Sequence, residues 1–284
     1  MLNIRSTELP PKILEIAKED DNIRIVILNG SRANPAGLID QLSDWDIAYY
    51  VRDIDPYWNN PKWAKQFGEI MIMQMPDIND DKIKSPTASF AYLMQFMDDS
   101  RIDLTIEPIA NLKKDKLDSL SVLLLDKDDL LGELPPPTEE DYYPKPPTRH
   151  QFDRCCNEFW WVLPYVAKAL RRSEIICAHY YFDNIIRKEV FKMLTWYFGI
   201  KTDFKKNPGK CGQYIGKYIP KKIWWQVIEL YADSSFKQLW QITHIASRLF
   251  NEIGREVAGH FDYEYPEQEA EDVNGFIANI NFTY

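Results

Sequence analysis

Apolar and polar positions follow different periods in the two halves of the chain. Short β-branched or alternating runs in the first half predict six strands, at 23–29, 45–51, 70–75, 90–96, 101–107 and 121–126. A helix at 9–20 precedes them. Beyond residue 150 the apolar positions recur at helical spacing and predict helices at 152–172, 174–198, 221–231 and 234–258.

The two patterns are separated by a proline-rich segment. It holds six prolines within fourteen residues, 134–147, and such a segment forms neither a helix interior nor a central strand. We therefore predict an α+β protein. A mixed β-sheet domain occupies residues 1–134, a proline-rich connector residues 135–149, and a C-terminal α-helical bundle domain residues 150–284.

Three details of the helical half are expected from its composition. Most of the aromatic side chains at helical spacing should form its core, and they include Phe159, Trp160, Trp196, Trp224, Trp225 and Trp240. Pro164 should kink the first helix. The stretch 262–272 carries six carboxylates in eleven residues and is expected to be a solvated tail.

The net charge disfavours one class of protein. The 284 residues carry 34 Lys and Arg against 43 Asp and Glu, a net of −9, which argues against a protein that coats nucleic-acid phosphates. Residues 1–150 hold 17 − 27 = −10 of this charge, and residues 151–284 hold 17 − 16 = +1. An acidic half attracts a cationic partner or needs metal ions before it accepts phosphates, although simple solubility also explains it.

Cysteine and leader patterns indicate the compartment. The four cysteines form no C-x-x-C pair, so a zinc knuckle is not expected. The N-terminal residues lack an apolar export segment, and the most apolar stretch, 159–170, is too short to span a bilayer. We expect a cytoplasmic protein with no membrane partner.

The sharpest motif combines a glycine turn with paired carboxylates. The strand at 23–29 ends at Gly30-Ser31, and after a loop Asp44-Trp45-Asp46 opens the next strand. Alternation places Asp44 and Asp46 on one face, where they repel unless a positive charge lies between them. Mg²⁺ binds through one or two carboxylates plus substrate phosphates, so these two residues are the predicted metal ligands. The nucleotide is assigned to Gly30 for its close backbone approach, to the Ser31 hydroxyl and to the fixed charge of Arg32.

A third carboxylate, Asp103, comes from a later strand, on a polar face with Arg101, Thr105 and Glu107. Glycine turn, Asp-x-Asp strand and later Asp together predict a nucleotidyl-transfer site. Gly30 and Asp44 lie 14 residues apart, far enough for the loop to fold over a triphosphate. Attack on an α-phosphorus also needs a base for the incoming hydroxyl, so Asp44, Asp46 and Asp103 are the predicted catalytic residues.

The chain resembles the aminoglycoside 6-adenylyltransferases, the streptomycin-modifying branch of the DNA polymerase β-like nucleotidyltransferases. The likeness lies in the runs 25–35, 44–53, 155–162 (Cys-Cys-Asn-Glu-Phe-Trp-Trp-Val), 183–189 and 207–210. It implies ATP as co-substrate, Mg²⁺, transfer of AMP to a hydroxyl (6-position) of streptomycin, release of pyrophosphate, and antibiotic resistance. The resemblance also assigns the nucleotide and metal to Gly30, Ser31, Asp44 and Asp46, and implies that Asp103 is the third carboxylate of the site. It makes residues 1–134 a nucleotidyltransferase domain.

The acceptor site is expected in the helical domain. The two guanidinium groups of streptomycin suit carboxylates and aromatic faces, and the candidate residues are Glu158, Tyr180 and Asp183. Two alternatives stay open: the same transfer to another acceptor (another aminoglycoside, a lincosamide or a protein hydroxyl), or a catalytically inactive nucleotide-binding module. The three intact carboxylates of the first domain argue against the inactive module.

Overall fold

The structure is a computed structural model of the 284-residue chain, and it describes residues 11–37, 39–77, 88–231 and 235–280. The chain divides into two compact units, Met1–Asp141 and Tyr142–Tyr284. The division falls inside the proline-rich segment 135–149. The first residues of the helices predicted at 9–20 and 234–258 lie outside the described residues.

The first unit contains a mixed sheet of six strands. In chain order these are β1 (Ile23–Asn29), β2 (Trp45–Val51), β3 (Ile70–Gln74), β4 (Phe90–Phe96), β5 (Arg101–Pro108) and β6 (Ser121–Asp126). Their order across the sheet is β3-β4-β5-β2-β1-β6. Of the five pairs in this order, β2–β5 is parallel and the other four are antiparallel. The predicted strands are confirmed to within one residue at each end.

The strands differ in how many of their side chains are buried. The first six residues of the interior strand β1 are all buried, and side chains from both of its faces pack into hydrophobic clusters. In β5 the apolar residues are buried and the polar ones half-buried, so one face packs on the core and the other stays accessible. Two helices of the described ranges accompany the sheet, α1 (Pro11–Glu19) and the single turn α2 (Asp55–Trp58).

The second unit is helical, and most of its described helices overlap the segments that sequence periodicity predicts. They are α3 (Arg149–Arg171), α4 (Ile175–Tyr181), α5 (Arg187–Lys201), α6 (Lys221–Glu229), α7 (Phe236–Phe261) and α8 (Glu267–Ala278). In the core, Phe159 of α3 stacks on Phe250 of α7 with ring centroids 3.8 Å apart, and Trp160 packs edge-on against both rings. The predicted α+β class, with a helical C-terminal part, is confirmed.

The structure corrects or refines three expectations for the helical half. The stretch 262–272 is not a solvated tail: α8 begins at Glu267, and Tyr265, Ala270 and Ile277 are buried beneath its charged face. The helix predicted at 174–198 is present as an unbroken helical run over 175–201, but a π-helical turn at Phe182–Ile186 lies within it. Trp225 is an exception among the aromatic residues expected in the core, since it is 64% exposed on α6. Periodicity missed these because a single sequence does not show which face finds a neighbour.

Two further findings concern α3 and the membrane. The helix α3 begins with a capping box between Thr148 and Gln151 and continues through Pro164, so the expected kink there stays a prediction. Among the described residues, no helix is both long enough and apolar enough to cross a lipid bilayer.

Candidate active site

Gly30 begins a short turn immediately after β1, and its conformation excludes other residues. Its φ is +70°, in the region that L side chains rarely adopt, and its N–H donates to the Leu120 carbonyl at 3.1 Å. A Cβ at this position would lie 2.4 Å from Oδ2 of Asp46. The missing side chain therefore leaves the space that the Asp46 carboxylate occupies. Ser31, the next residue, is exposed.

Strand register brings the predicted carboxylates together. Asp46 of β2 lies opposite Asn29 on β1 and opposite Asp103 on β5. Asp44 immediately precedes β2, and the intervening Trp45 is buried, so the two carboxylates lie on the accessible side. The structure thus places all three predicted carboxylates where β1 ends and where β2 and β5 begin, next to the glycine turn.

An arginine that the sequence interpretation left without a role lies among these carboxylates. Arg101 donates from Nε and Nη2 to the two oxygens of Asp103 at 2.8 and 2.7 Å, and its Nε is 3.5 Å from Oδ2 of Asp44. The hydrogen bonds to Asp103, together with the charges of Asp44 and Asp46, raise the pKa of the Arg101 guanidinium. The chain therefore supplies part of the positive charge that neighbouring carboxylates require. The Arg-x-Asp spacing on one strand face was the signal for this contact.

Arg32 is directed away from solvent. Only 8% of it is exposed, and its guanidinium donates to the carbonyls of Ser43 (2.7 Å from Nη2) and Asp44 (3.1 Å from Nε). It also lies over the Trp45 ring at 4.0 Å. Burial lowers the pKa of Arg32, and the charges of Asp40, Asp44 and Asp46 oppose that shift. These contacts join the two ends of the 30–44 loop, while nucleotide binding by Arg32 stays a prediction.

The donor set fits a hard divalent cation shared with a substrate. Within the described ranges, no group of three or more His, Cys, Asp or Glu side chains could hold a metal ion. Asp44 and Asp46 offer carboxylate oxygens, and Oδ2 of Asp46 lies in the space that a Cβ on Gly30 would fill. Mg²⁺ commonly keeps several waters and binds through one or two carboxylates plus phosphates, so a two-carboxylate site is compatible with it.

The three acceptor candidates lie on neighbouring helices of the second unit. Glu158 is exposed on α3, and Tyr180 is 61% exposed on α4. Asp183 lies in the π-helical turn, where its carboxylate is 3.0 Å from Nη2 of Arg187 and 3.5 Å from Nδ1 of His179. Tyr180 and Asp183 are therefore neighbours on one helical segment, and acceptor binding by any of the three stays a prediction.

The chain has a glycine turn that faces carboxylates on two neighbouring strands of a mixed sheet. Together with the family match that follows, this arrangement places the chain in the class of nucleotidyltransferases. The family model described as Streptomycin adenylyltransferase matches residues 5–280, and the chain belongs to this family.

Three curated relatives of known name support the same placement. An aminoglycoside 6-adenylyltransferase of Campylobacter jejuni is 38% identical over 255 residues, which are 89% of this chain and 88% of the relative. A protein of the same name from Bacillus subtilis is 31% identical over 92% of this chain and 93% of the relative. Another from Staphylococcus aureus is 32% identical over 94% of this chain and 95% of the relative. A crystal structure of an aminoglycoside 6-adenyltransferase from Bacillus subtilis has 28% sequence identity and a TM-score of 0.47, with 95% of each chain covered.

Proposed function

We propose that this chain transfers AMP from ATP to the 6-hydroxyl of streptomycin, with release of pyrophosphate, and thereby confers resistance to the antibiotic. The observation that carries the proposal is the placement of Asp46 directly opposite Asp103 and in the space left by Gly30. The names of the relatives, aminoglycoside 6-adenylyltransferases, support the acceptor class.

Asp44 and Asp46 would hold Mg²⁺ together with phosphate oxygens of ATP. Bound there, the ion would neutralise charge on the phosphates as the α-phosphorus is attacked. Gly30 keeps the backbone close to this position without a side chain in the way, and the Ser31 hydroxyl would donate a hydrogen bond to a phosphate oxygen.

Asp103 would accept the proton of the attacking hydroxyl. Each of its oxygens accepts one hydrogen bond from Arg101, and a carboxylate oxygen has two lone pairs, so one on each oxygen stays open to the acceptor. Arg101 fixes the plane of this carboxylate through the two hydrogen bonds, and so orients its oxygens for accepting a proton. The bond formed joins the acceptor oxygen to the α-phosphorus, and the bond broken releases pyrophosphate.

The test is product mass from a panel of aminoglycosides with ATP or GTP and Mg²⁺, run on the wild type and on Asp46→Asn. We expect streptomycin to gain one AMP, with pyrophosphate released in equal amount, and the variant to lose at least about 100-fold in turnover because a metal ligand is removed. Modification of another aminoglycoside in place of streptomycin would change the acceptor. Retention of more than a tenth of turnover by Asp46→Asn would remove Asp46 from the metal site.

A further inference from the structure

The helical unit presents a connected row of aromatic rings at its surface. The rings belong to Trp161 and Tyr165 of α3 and to Tyr180 and Tyr181 of α4, and we call these four residues the aromatic ladder. Successive ring centroids are 6.3, 5.5 and 5.8 Å apart, in the order Trp161, Tyr165, Tyr181, Tyr180. The two ends are the most accessible, with Trp161 64% and Tyr180 61% exposed.

Core packing does not account for the exposed end of this ladder. Trp160, the preceding residue, is 2% exposed and supplies the indole that packs against Phe159 and Phe250. Trp161 points to the other side of α3, where its ring contacts only the ladder among the ring contacts of the described residues. Isolated apolar residues on a surface are ordinary, but a connected set of aromatic rings is typical of a binding surface.

The chain itself places a cation on the ladder. Nζ of Lys168 lies 5.5 Å from the centroid of the Tyr165 ring, within the range of a cation–π contact. Tyr165 is thereby occupied, whereas the rings at the two ends remain accessible. Their faces carry the same negative electrostatic potential, so a positively charged ligand is the partner that they favour.

Carboxylates flank both ends of the ladder. Glu158 precedes Trp161 by three residues on α3, which places both on one helix face, and it is exposed. Asp183 follows Tyr180 by three residues and is held by Arg187 in the π-helical turn. Turns of this kind occur frequently at functional sites. The ladder therefore has a carboxylate at each end and aromatic rings between them, and a ligand with two separated cationic groups matches this order.

We propose that the aromatic ladder binds the cationic acceptor, with a guanidinium or ammonium group on the face of Trp161 and a second on Tyr180. Glu158 and Asp183 supply the negative charge at the two ends. This inference rests on the proposed function, since it concerns how the same acceptor is recognised. Trp161, which the sequence interpretation did not single out, becomes the principal specificity residue.

The experiment compares two tryptophans that are equally accessible. Trp161 and Trp225 are both 64% exposed on helices of the same unit, and Trp225 lies on α6, outside the ladder. Streptomycin binding is measured by calorimetry on the full chain for the wild type, Trp161→Ala, Trp161→Phe and Trp225→Ala. The KM values for streptomycin and ATP are measured on the same four proteins, and melting temperatures show that each is folded.

We expect Trp161→Ala to weaken streptomycin binding and raise its KM by about 2- to 30-fold, with the KM for ATP unchanged. Trp161→Phe should recover part of the loss because it retains a ring, and Trp225→Ala should match the wild type. Tyr180→Ala gives an independent second variant at the other end of the ladder, with the same expected direction.

Two results would overturn the inference alone: equal streptomycin KM in Trp161→Ala and Trp225→Ala, or a wild-type dimer in light scattering that Trp161→Ala dissociates. The second would make the ladder an interface between copies. A wild type that neither binds nor modifies any aminoglycoside would instead overturn the proposed function, and the inference with it. Wild-type turnover therefore separates the two failures.

Discussion

Oδ2 of Asp46 lies where a side chain on residue 30 would begin, so the backbone at Gly30 and the carboxylate share one small space. A Cβ there would meet Oδ2 of Asp46 at 2.4 Å, far inside any ordinary contact, so the carboxylate would have to shift. A substitution of Gly30 therefore strains the backbone and displaces the Asp46 carboxylate at the same time.

Gly30→Ala should lower kcat by at least tenfold and destabilise the fold. The matched control is Gly132→Ala, since Gly132 also has a positive φ, +59°, but a Cβ added to it would meet nothing within 4 Å. The control variant should lose only the free energy of unfolding that a side chain costs at a positive φ, about 1 to 2 kcal/mol, and it should keep its activity. Urea unfolding and steady-state kinetics on both variants test this, and equal losses of kcat would mean that the contact with Asp46 is unimportant.

Asp103→Asn should lower kcat by about 10²- to 10⁴-fold while ATP and Mg²⁺ still bind, because the amide cannot accept the proton of the acceptor hydroxyl. Glu107→Gln is the control, since Glu107 lies further along the same polar face of β5. Nucleotide affinity by calorimetry and kcat by pyrophosphate release give the two quantities. Loss of nucleotide binding in Asp103→Asn would move Asp103 into the metal site.

Among the secondary-structure elements, the loop between β1 and β2 is held by a buried cation. Arg32 comes from the start of the loop and binds carbonyls at its end, so the turn after β1 and the beginning of β2 are fixed relative to one another. Trp45 packs beneath the guanidinium. Asp44 and Asp46 are the sequence neighbours of Trp45 and lie on the opposite face, so this contact helps to fix their positions.

Arg32→Ala should therefore reduce kcat at saturating ATP by tenfold or more and raise the Mg²⁺ concentration needed for half-maximal rate. The control is Arg24→Ala, since Arg24 is equally buried at 8% exposed, lies in the same sheet and is paired with Asp128. Both variants should melt at lower temperature, because each loses charged hydrogen bonds. A similar fall of kcat in both would show that Arg32 has only a structural role.

Over the whole molecule, negative charge is concentrated in the first 150 residues, where the net is 17 − 27 = −10, whereas residues 151–284 carry 17 − 16 = +1. Because residues 151–284 have no net negative charge, recognition of a cation by the helical unit must depend on individual carboxylates. Glu158 and Asp183 are the two that the sequence indicated, and Asp183 is already held at 3.0 Å by Arg187.

Glu158→Ala and Asp183→Ala should raise the KM for streptomycin by about 5- to 150-fold and leave the KM for ATP unchanged, since a partly buried guanidinium contact is lost. Glu256→Ala is the control, because Glu256 is an exposed carboxylate of α7 paired with Lys201 at 2.7 Å. Kinetics with each substrate varied in turn give the result. Unchanged streptomycin KM in both variants would assign these two carboxylates a structural role.

Local patterns in the sequence were sufficient to predict the strands, most helices and the order of the catalytic motif. Alternation in β5 and the apolar run of β1 are of this kind, because each depends on which side chains of one segment are buried. The glycine before Ser31 and the Asp-x-Asp pair are equally local, and together with the longer runs they also predicted the family to which the chain belongs.

Only the packing of the segments determined which charged side chains come into contact and which faces remain exposed to solvent. The contact of Arg101 with Asp44 exists because β5 pairs in parallel with β2, a strand distant from it in sequence. The burial of Trp160 beside an exposed Trp161, and of Ile277 in α8, likewise depends on which helices pack together. These outcomes follow from the register and packing of segments distant in sequence, and a one-dimensional pattern does not contain that information.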